Sequence, residues 1–100
     1  MSAVERPGAS DVTGVTEVTV RYWAALRAAA GTPGDQVAPG PLDQVVAAVA
    51  AAHAGAARFG QVLAICSVLV DEQPVGARDH ADVPVGPGSV VDLLPPFAGG

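Results

Sequence analysis

Val18-Thr-Val-Arg-Tyr-Trp-Ala-Ala-Leu-Arg-Ala-Ala-Ala-Gly31 changes its hydrophobic period partway along, and that change sets the reading of the whole chain. Val18, Val20 and Tyr22 alternate with Thr19 and Arg21, the period of a strand with one buried face. From Trp23 onward the composition turns to alanine, leucine and arginine, which are strong helix formers, and Gly31 offers a stop. Trp23, Leu26 and Ala30 fall on one face at helical spacing. The predicted opening is a strand starting near Val15 that runs straight into a short helix.

Downstream, Gly31-Thr-Pro-Gly34 is turn chemistry, and Asp35 to Ala38 reads as a second, short strand closed by Pro39-Gly40. Pro41 suits the first position of a helix, where a missing N–H costs nothing. Leu42, Val45, Val46, Val49 and His53 recur at amphipathic spacing, so residues 41–54 form the predicted main helix. Gly55 interrupts it, and Ala56 to Leu63 reads as a short helical or irregular link. Ala64 to Val70 is the clearest strand, at least partly buried on both faces. Asp71-Glu-Gln-Pro74 reads as a hairpin turn with Val75 beginning the return, and Asp79 to Pro84 as a loop. After the Pro87-Gly88 turn, Ser89 to Leu94 forms the last strand, with Val91 and Leu93 on one face. Upstream, residues 1–14 lack an apolar period and read as a flexible tail. A mixed sheet over one principal helix satisfies this order economically, which makes the class α+β. The predicted division is a tail over 1–14, a domain over 15–94 and an extended ending over 95–100.

Bulk properties exclude several function classes. One hundred residues fit one small domain, and an apolar half of the chain favours folding over disorder. The longest apolar tract, Val45 to Ala52, falls far short of the roughly 20 residues that cross a bilayer. Met1 to Gly14 shows no secretory pattern, so the expected location is the cytoplasm, away from membranes. A net charge of −5, with arginine as the basic residue throughout, argues against a sequence-independent grip on nucleic acid. The single cysteine, Cys66, allows no intrachain disulfide and no thiolate cluster.

Side chains offer little catalytic chemistry. His53 and His80 have no metal-pair spacing; His53 reads as a partly buried histidine on the main helix, and His80 as a solvated loop residue. Cys66 falls in an apolar strand and reads as a small core hydrophobe rather than a nucleophile. Asp79 and Asp82 beside His80 read as an ordinary acidic loop, and no glycine-rich phosphate loop is present.

The ending differs. Pro95-Pro-Phe-Ala-Gly-Gly100 follows a strand directly, with no helix, cap or charged run. Pro95 and Pro96 stiffen the departure from the sheet, while Ala98, Gly99 and Gly100 present almost bare backbone. Bare backbone is what a chain end needs in order to thread a narrow tunnel. A small-residue terminus is common by itself, and its position after the final strand of this element order gives it weight.

Val18 to Gly31, Ile65 to Pro74 and Val91-Asp-Leu-Leu-Pro-Pro-Phe-Ala-Gly-Gly100 together resemble the small subunits of molybdopterin synthase. These are ubiquitin-like sulfur carriers with the β-grasp fold, and the resemblance covers about residues 15–100. It implies that the reacting group is the C-terminal carboxylate of Gly100. A ubiquitin-activating-like adenylyltransferase would use ATP and magnesium to adenylate it, and a sulfur donor protein would then leave a thiocarboxylate. The large synthase subunit would receive the tail and pass the sulfur to cyclic pyranopterin monophosphate, building the dithiolene of molybdopterin. The catalytic side chains would therefore lie on partners, and this chain would be no enzyme alone and hold no metal or cofactor. Gly99 and Ala98 would thread the partner's site, and Phe97, Pro96, Pro95 and Leu94 would dock on it. Pro74 to Pro84 aligns least well with the family. Carriers for thiamine thiazole, for cysteine or for tungsten-enzyme pterin share the fold and ending, although the double proline favours the molybdopterin branch. A ubiquitin-like protein modifier and a pure binding module are the readings of another class.

Overall fold

A computed structural model describes residues 16–96. The expected flexible tail over 1–14, and the assignments to Phe97, Ala98, Gly99 and Gly100, lie outside the described residues.

The opening alternation folds as a strand, beginning at Val18 rather than near Val15. β1 (Val18–Tyr22) buries Val18, Val20 and Tyr22 and leaves Arg21 exposed. α1 (Ala24–Ala30) follows, with Leu26 buried. It ends at Gly31, whose left-handed φ of 74° lets its N–H donate to the Arg27 carbonyl at 3.0 Å. Trp23 does not join the helix face: it sits at the N-cap in extended conformation and is 41% exposed. Its indole turns instead toward the sheet, where Nε1 donates to the Asp92 carboxylate at 2.8 Å.

β2 (Gly34–Val37) pairs antiparallel with β1, one residue earlier than the predicted strand. Gly34 is required there by close approach, since an added Cβ would stand 2.3 Å from the Val20 carbonyl oxygen. β3 (Gly40–Pro41) forms a short ladder with β6 (Pro84–Val85), which draws Pro41 out of the helix to its N-cap. The main helix α2 (Leu42–Ala52) is correspondingly shorter than 41–54 and is tied at its start by Leu42 N–H to the Val83 carbonyl, 2.8 Å. It buries Leu42, Val45 and Val49, while Val46 is half-buried and His53 stands at the C-cap.

The undecided link is helical. α3 (Ala57–Leu63) buries Phe59 and Val62 and packs on α1. Its last turn runs on, with the amides of Ala64, Ile65 and Cys66 donating to the carbonyls of Gly60, Val62 and Leu63. That run-on delays β4 (Ser67–Val70), leaves Ile65 61% exposed, and puts Cys66 before the strand rather than in it. Asp71 and Glu72 form the hairpin turn with φ of 49° and 70°, so β5 is Gln73–Pro74 and the return begins before Val75. The loop over 79–84 holds a short 3₁₀ turn at His80–Asp82, capped by the Asp79 carboxylate accepting from Ala81 N–H.

β7 (Val90–Leu94) completes the sheet in the order β2-β1-β7-β4-β5. It runs parallel to β1 and antiparallel to β4. Val91 and Leu93 face the core with Val18, Val20, Tyr22 and the buried residues of α2 and α3. This mixed sheet covered on one face by helices is the ubiquitin-like β-grasp arrangement.

Candidate functional site at the root of the tail

The tail leaves from the middle of the sheet. β7 is bonded on both sides, to β1 over Val90–Leu93 and to β4 over Val91–Leu94. Leu94 lies opposite Ser67 of β4, and the chain departs through half-buried Pro95 and exposed Pro96. Alternation along β7 places Leu94 and Asp92 on the sheet face away from the helices, because Val91 and Leu93 take the core side. Leu69, opposite Asp92, shares that outer face. Of the expected docking residues, Leu94, Pro95 and Pro96 are thus contiguous at the point of departure.

Asp92 is a site residue that the sequence reading passed over. It is 3% exposed although it carries a charge and lies on the outer face. Its carboxylate accepts from Arg21 Nε at 2.7 Å, from Arg21 Nη2 at 3.0 Å and from Trp23 Nε1 at 2.8 Å. The bidentate geometry follows from register, since Arg21 stands opposite Asp92 in the parallel ladder. The Arg21 hydrogen bonds hold the Asp92 carboxyl below the usual carboxylate range; burial opposes them, and the Trp23 N–H and the Arg21 charge add to them. Arg21 also stands over the Trp23 ring, 5.7 Å from its centroid. A sequence signal for the pair existed, opposite charges at non-core positions of two predicted strands, but only strand order makes them neighbours.

The histidines have other duties. His53 Nε2 lies 2.6 Å from Asp35 Oδ2, which also accepts from the Tyr22 hydroxyl at 2.8 Å. The His53 ring stacks on Phe59 at 4.4 Å, and Tyr22 meets both rings edge-on. His53 is therefore the partly buried histidine expected of it. Burial works against ionisation of Asp35, but the hydrogen bonds from His53 and Tyr22 outweigh it and hold the carboxyl below its ordinary value. Burial first, and the bond to Asp35 second, push the Tyr22 hydroxyl well above the ordinary tyrosine range. His80 is half-buried rather than solvated, because the 3₁₀ turn carries it against the body. It lines a cavity of about 370 Å³ with Cys66, Val46, Leu63 and Leu93. Burial pushes the Cys66 thiol up to about 11, and its S–H donates to the Val62 carbonyl at 3.4 Å. A thiol so placed is a packing group, not a nucleophile. Among the described residues no group of three or more His, Cys, Asp or Glu side chains could hold a metal ion, and no helix is long and apolar enough to cross a membrane.

Several solved structures share this fold. The small archaeal modifier protein 1 of Methanosarcina acetivorans is 19% identical, with 85% of this chain and 97% of that one covered and a TM-score of 0.70. The HVO 2177 protein of Haloferax volcanii is 21% identical, with 85% and 87% covered and a TM-score of 0.65. A chain in the protein–protein complex of subunits 1 and 2 of molybdopterin-converting factor from Helicobacter pylori is 20% identical, with 84% and 99% covered and a TM-score of 0.61. At such identities the likeness establishes the fold alone. No curated protein matches significantly. The profile of the ThiS family, however, matches residues 20–100, from the middle of β1 through the final glycines. With the β-grasp sheet beneath it, that match makes the chain a member of the ThiS family of small, non-catalytic, ubiquitin-like sulfur carriers.

Proposed function

We propose that this carrier is the small subunit of a molybdopterin synthase and that Gly100 is its reacting residue. The supporting observation is the position of β7. A strand bonded on both sides ends at Leu94 and passes at once into the six-residue ending, a fixed root for an arm with almost bare backbone at its tip. Holding the reacting end at the close of a fixed root turns a search in solution into local placement.

The chemistry of the carrier stage is simple. A carboxylate is a poor electrophile because its charge repels nucleophiles and oxide is no leaving group. Attack of the Gly100 carboxylate on the α-phosphorus of ATP, with magnesium on the phosphates and pyrophosphate leaving, gives a mixed anhydride on the adenylyltransferase. Sulfur supplied at the sulfide level by a donor protein then attacks the carbonyl carbon, the C–O bond to phosphate breaks with AMP leaving, and the thiocarboxylate remains. Gly99 and Ala98 carry the end down a channel too narrow for larger side chains, and Leu94, Pro95, Pro96 and Phe97 dock at its mouth. The large synthase subunit supplies the acid–base groups, and cyclic pyranopterin monophosphate takes the sulfur. The Pro95-Pro96-Phe97 approach favours this acceptor over thiamine thiazole or cysteine precursors.

Intact mass after co-expression with the adenylyltransferase and a sulfur source tests the carrier stage. Exchange of one terminal oxygen for sulfur is expected. Conjugates to other proteins in place of that exchange would make the chain a modifier. Incubating the thiocarboxylated protein with large subunit and pyranopterin then tests the acceptor, with molybdopterin as the expected product.

A further inference from the structure

Asp92 is the buried charged side chain among the described residues, yet one of the groups it holds is in water. Trp23 is 41% exposed, and its polar atom, Nε1, is already bonded to Asp92 at 2.8 Å. Arg21, gripped by the same carboxylate at 2.7 and 3.0 Å, stands over the indole face. Backbone adds a further hold, because the Trp23 carbonyl accepts from Leu26 N–H at 3.0 Å and so begins α1. An indole tethered at its N–H, across its face and through its backbone has lost its freedom before any partner arrives. What it offers outward is apolar ring, which water covers poorly.

Its location gives that ring a purpose. Tyr22 lies opposite Leu93 in the parallel ladder, so Trp23 follows β1 at the same end of the sheet at which β7 closes in Leu94, the last residue before the tail. We propose that Trp23 is a preorganised docking anchor for the enzyme that receives the tail, and that Asp92, together with Arg21, is the positioning residue that fixes it. The inference rests on the reading of this chain as a tail-delivering carrier. The matching surface on the partner is apolar and uncharged, at the mouth of its tail channel. A partner carboxylate gains little here, since the Trp23 donor is occupied and the Arg21 charge is matched by Asp92. Anchors of this kind, aromatic and held in one orientation, carry a large share of binding energy at protein interfaces.

Trp23 is the chain's single tryptophan, so labelling the full-length protein with 5-fluorotryptophan gives one fluorine resonance. The large subunit of molybdopterin synthase is expected to shift it. In sulfur transfer with thiocarboxylated protein, Trp23→Ala is expected to raise the carrier's KM by on the order of 10-fold, with kcat within about twofold because the tail is intact. Asp92→Asn keeps an acceptor for the indole but loses the ion pair. It should move the fluorine resonance of the free protein and raise KM by about threefold or more. Arg21→Lys, which keeps charge but loses the planar fork, covers the case in which Asp92→Asn fails to fold. Unchanged KM for Trp23→Ala and Arg21→Lys, with only melting temperatures lowered, would overturn the anchor and leave the carrier intact. Failure of the wild-type thiocarboxylate to transfer sulfur to pyranopterin would instead overturn the reading on which the anchor rests.

Discussion

Cys66 and the depressed carboxylates show how neighbours set the chemistry of single residues. The Cys66 thiol, pushed up to about 11 by burial, carries little thiolate at neutral pH. Alkylation by iodoacetamide at pH 7.5 is therefore expected to run on the order of 100-fold slower than for an unperturbed cysteine, recovering in denaturant. Asp92 and Asp35 titrate the other way, both held below the ordinary range by their hydrogen-bond donors. A carboxyl with a depressed native pKa binds fewer protons folded than unfolded. Its stabilisation is thus whole above the unfolded value of about 4 and is lost as pH falls through the native value. Urea midpoints should hold steady down to about pH 5 and drop below about pH 4, and Asp92→Asn should flatten part of that drop. The identities of these residues were plain in the sequence, whereas their partners were not. Asp92 and Arg21 are far apart along the chain, and only the parallel pairing of β1 with β7 brings their side chains within 2.7 Å.

Among the elements, those with a long, clean period were legible and those set by neighbours were not. The alternation of β1 and the amphipathic spacing of α2 marked the type of each element, while their bounds fell up to three residues from those read, with β1 beginning at Val18 and α2 ending at Ala52. α3 carries only Phe59 and Val62 as buried marks, too few to separate helix from irregular chain. The hairpin was misplaced because its turn uses Asp71 and Glu72 at positive φ, where Gly or Asn would have announced it. Asp71 has a return for that strain: its carboxylate accepts from Val90 N–H and the Ser89 hydroxyl, both at 2.9 Å, which joins the turn to β7. Glu72 makes no such bond among the described residues. Glu72→Gly is accordingly expected to stabilise the domain by about 0.5–1 kcal/mol, read as a higher urea midpoint at unchanged slope.

For the molecule as a whole, the proposed function divides the work between the folded body and the ending that follows it. The core of the described residues is built from side chains between Val18 and Leu93. Deletion of Gly100 should therefore leave the melting temperature within about 1 °C and abolish thiocarboxylate formation, with circular dichroism and intact mass reading the two effects. The chain's own order of residues determined that there is a strand-helix opening, an amphipathic main helix, a final strand and a Gly-Gly ending behind it. These are local facts, written in period, turn chemistry and composition. Tertiary structure alone decided that the final strand lies at the centre of the sheet, parallel to the first, and that Trp23 leaves the helix face to bond Asp92 of that strand. Strand order depends on which apolar faces close together over α2 and α3, a balance among contacts remote in sequence that no local pattern encodes.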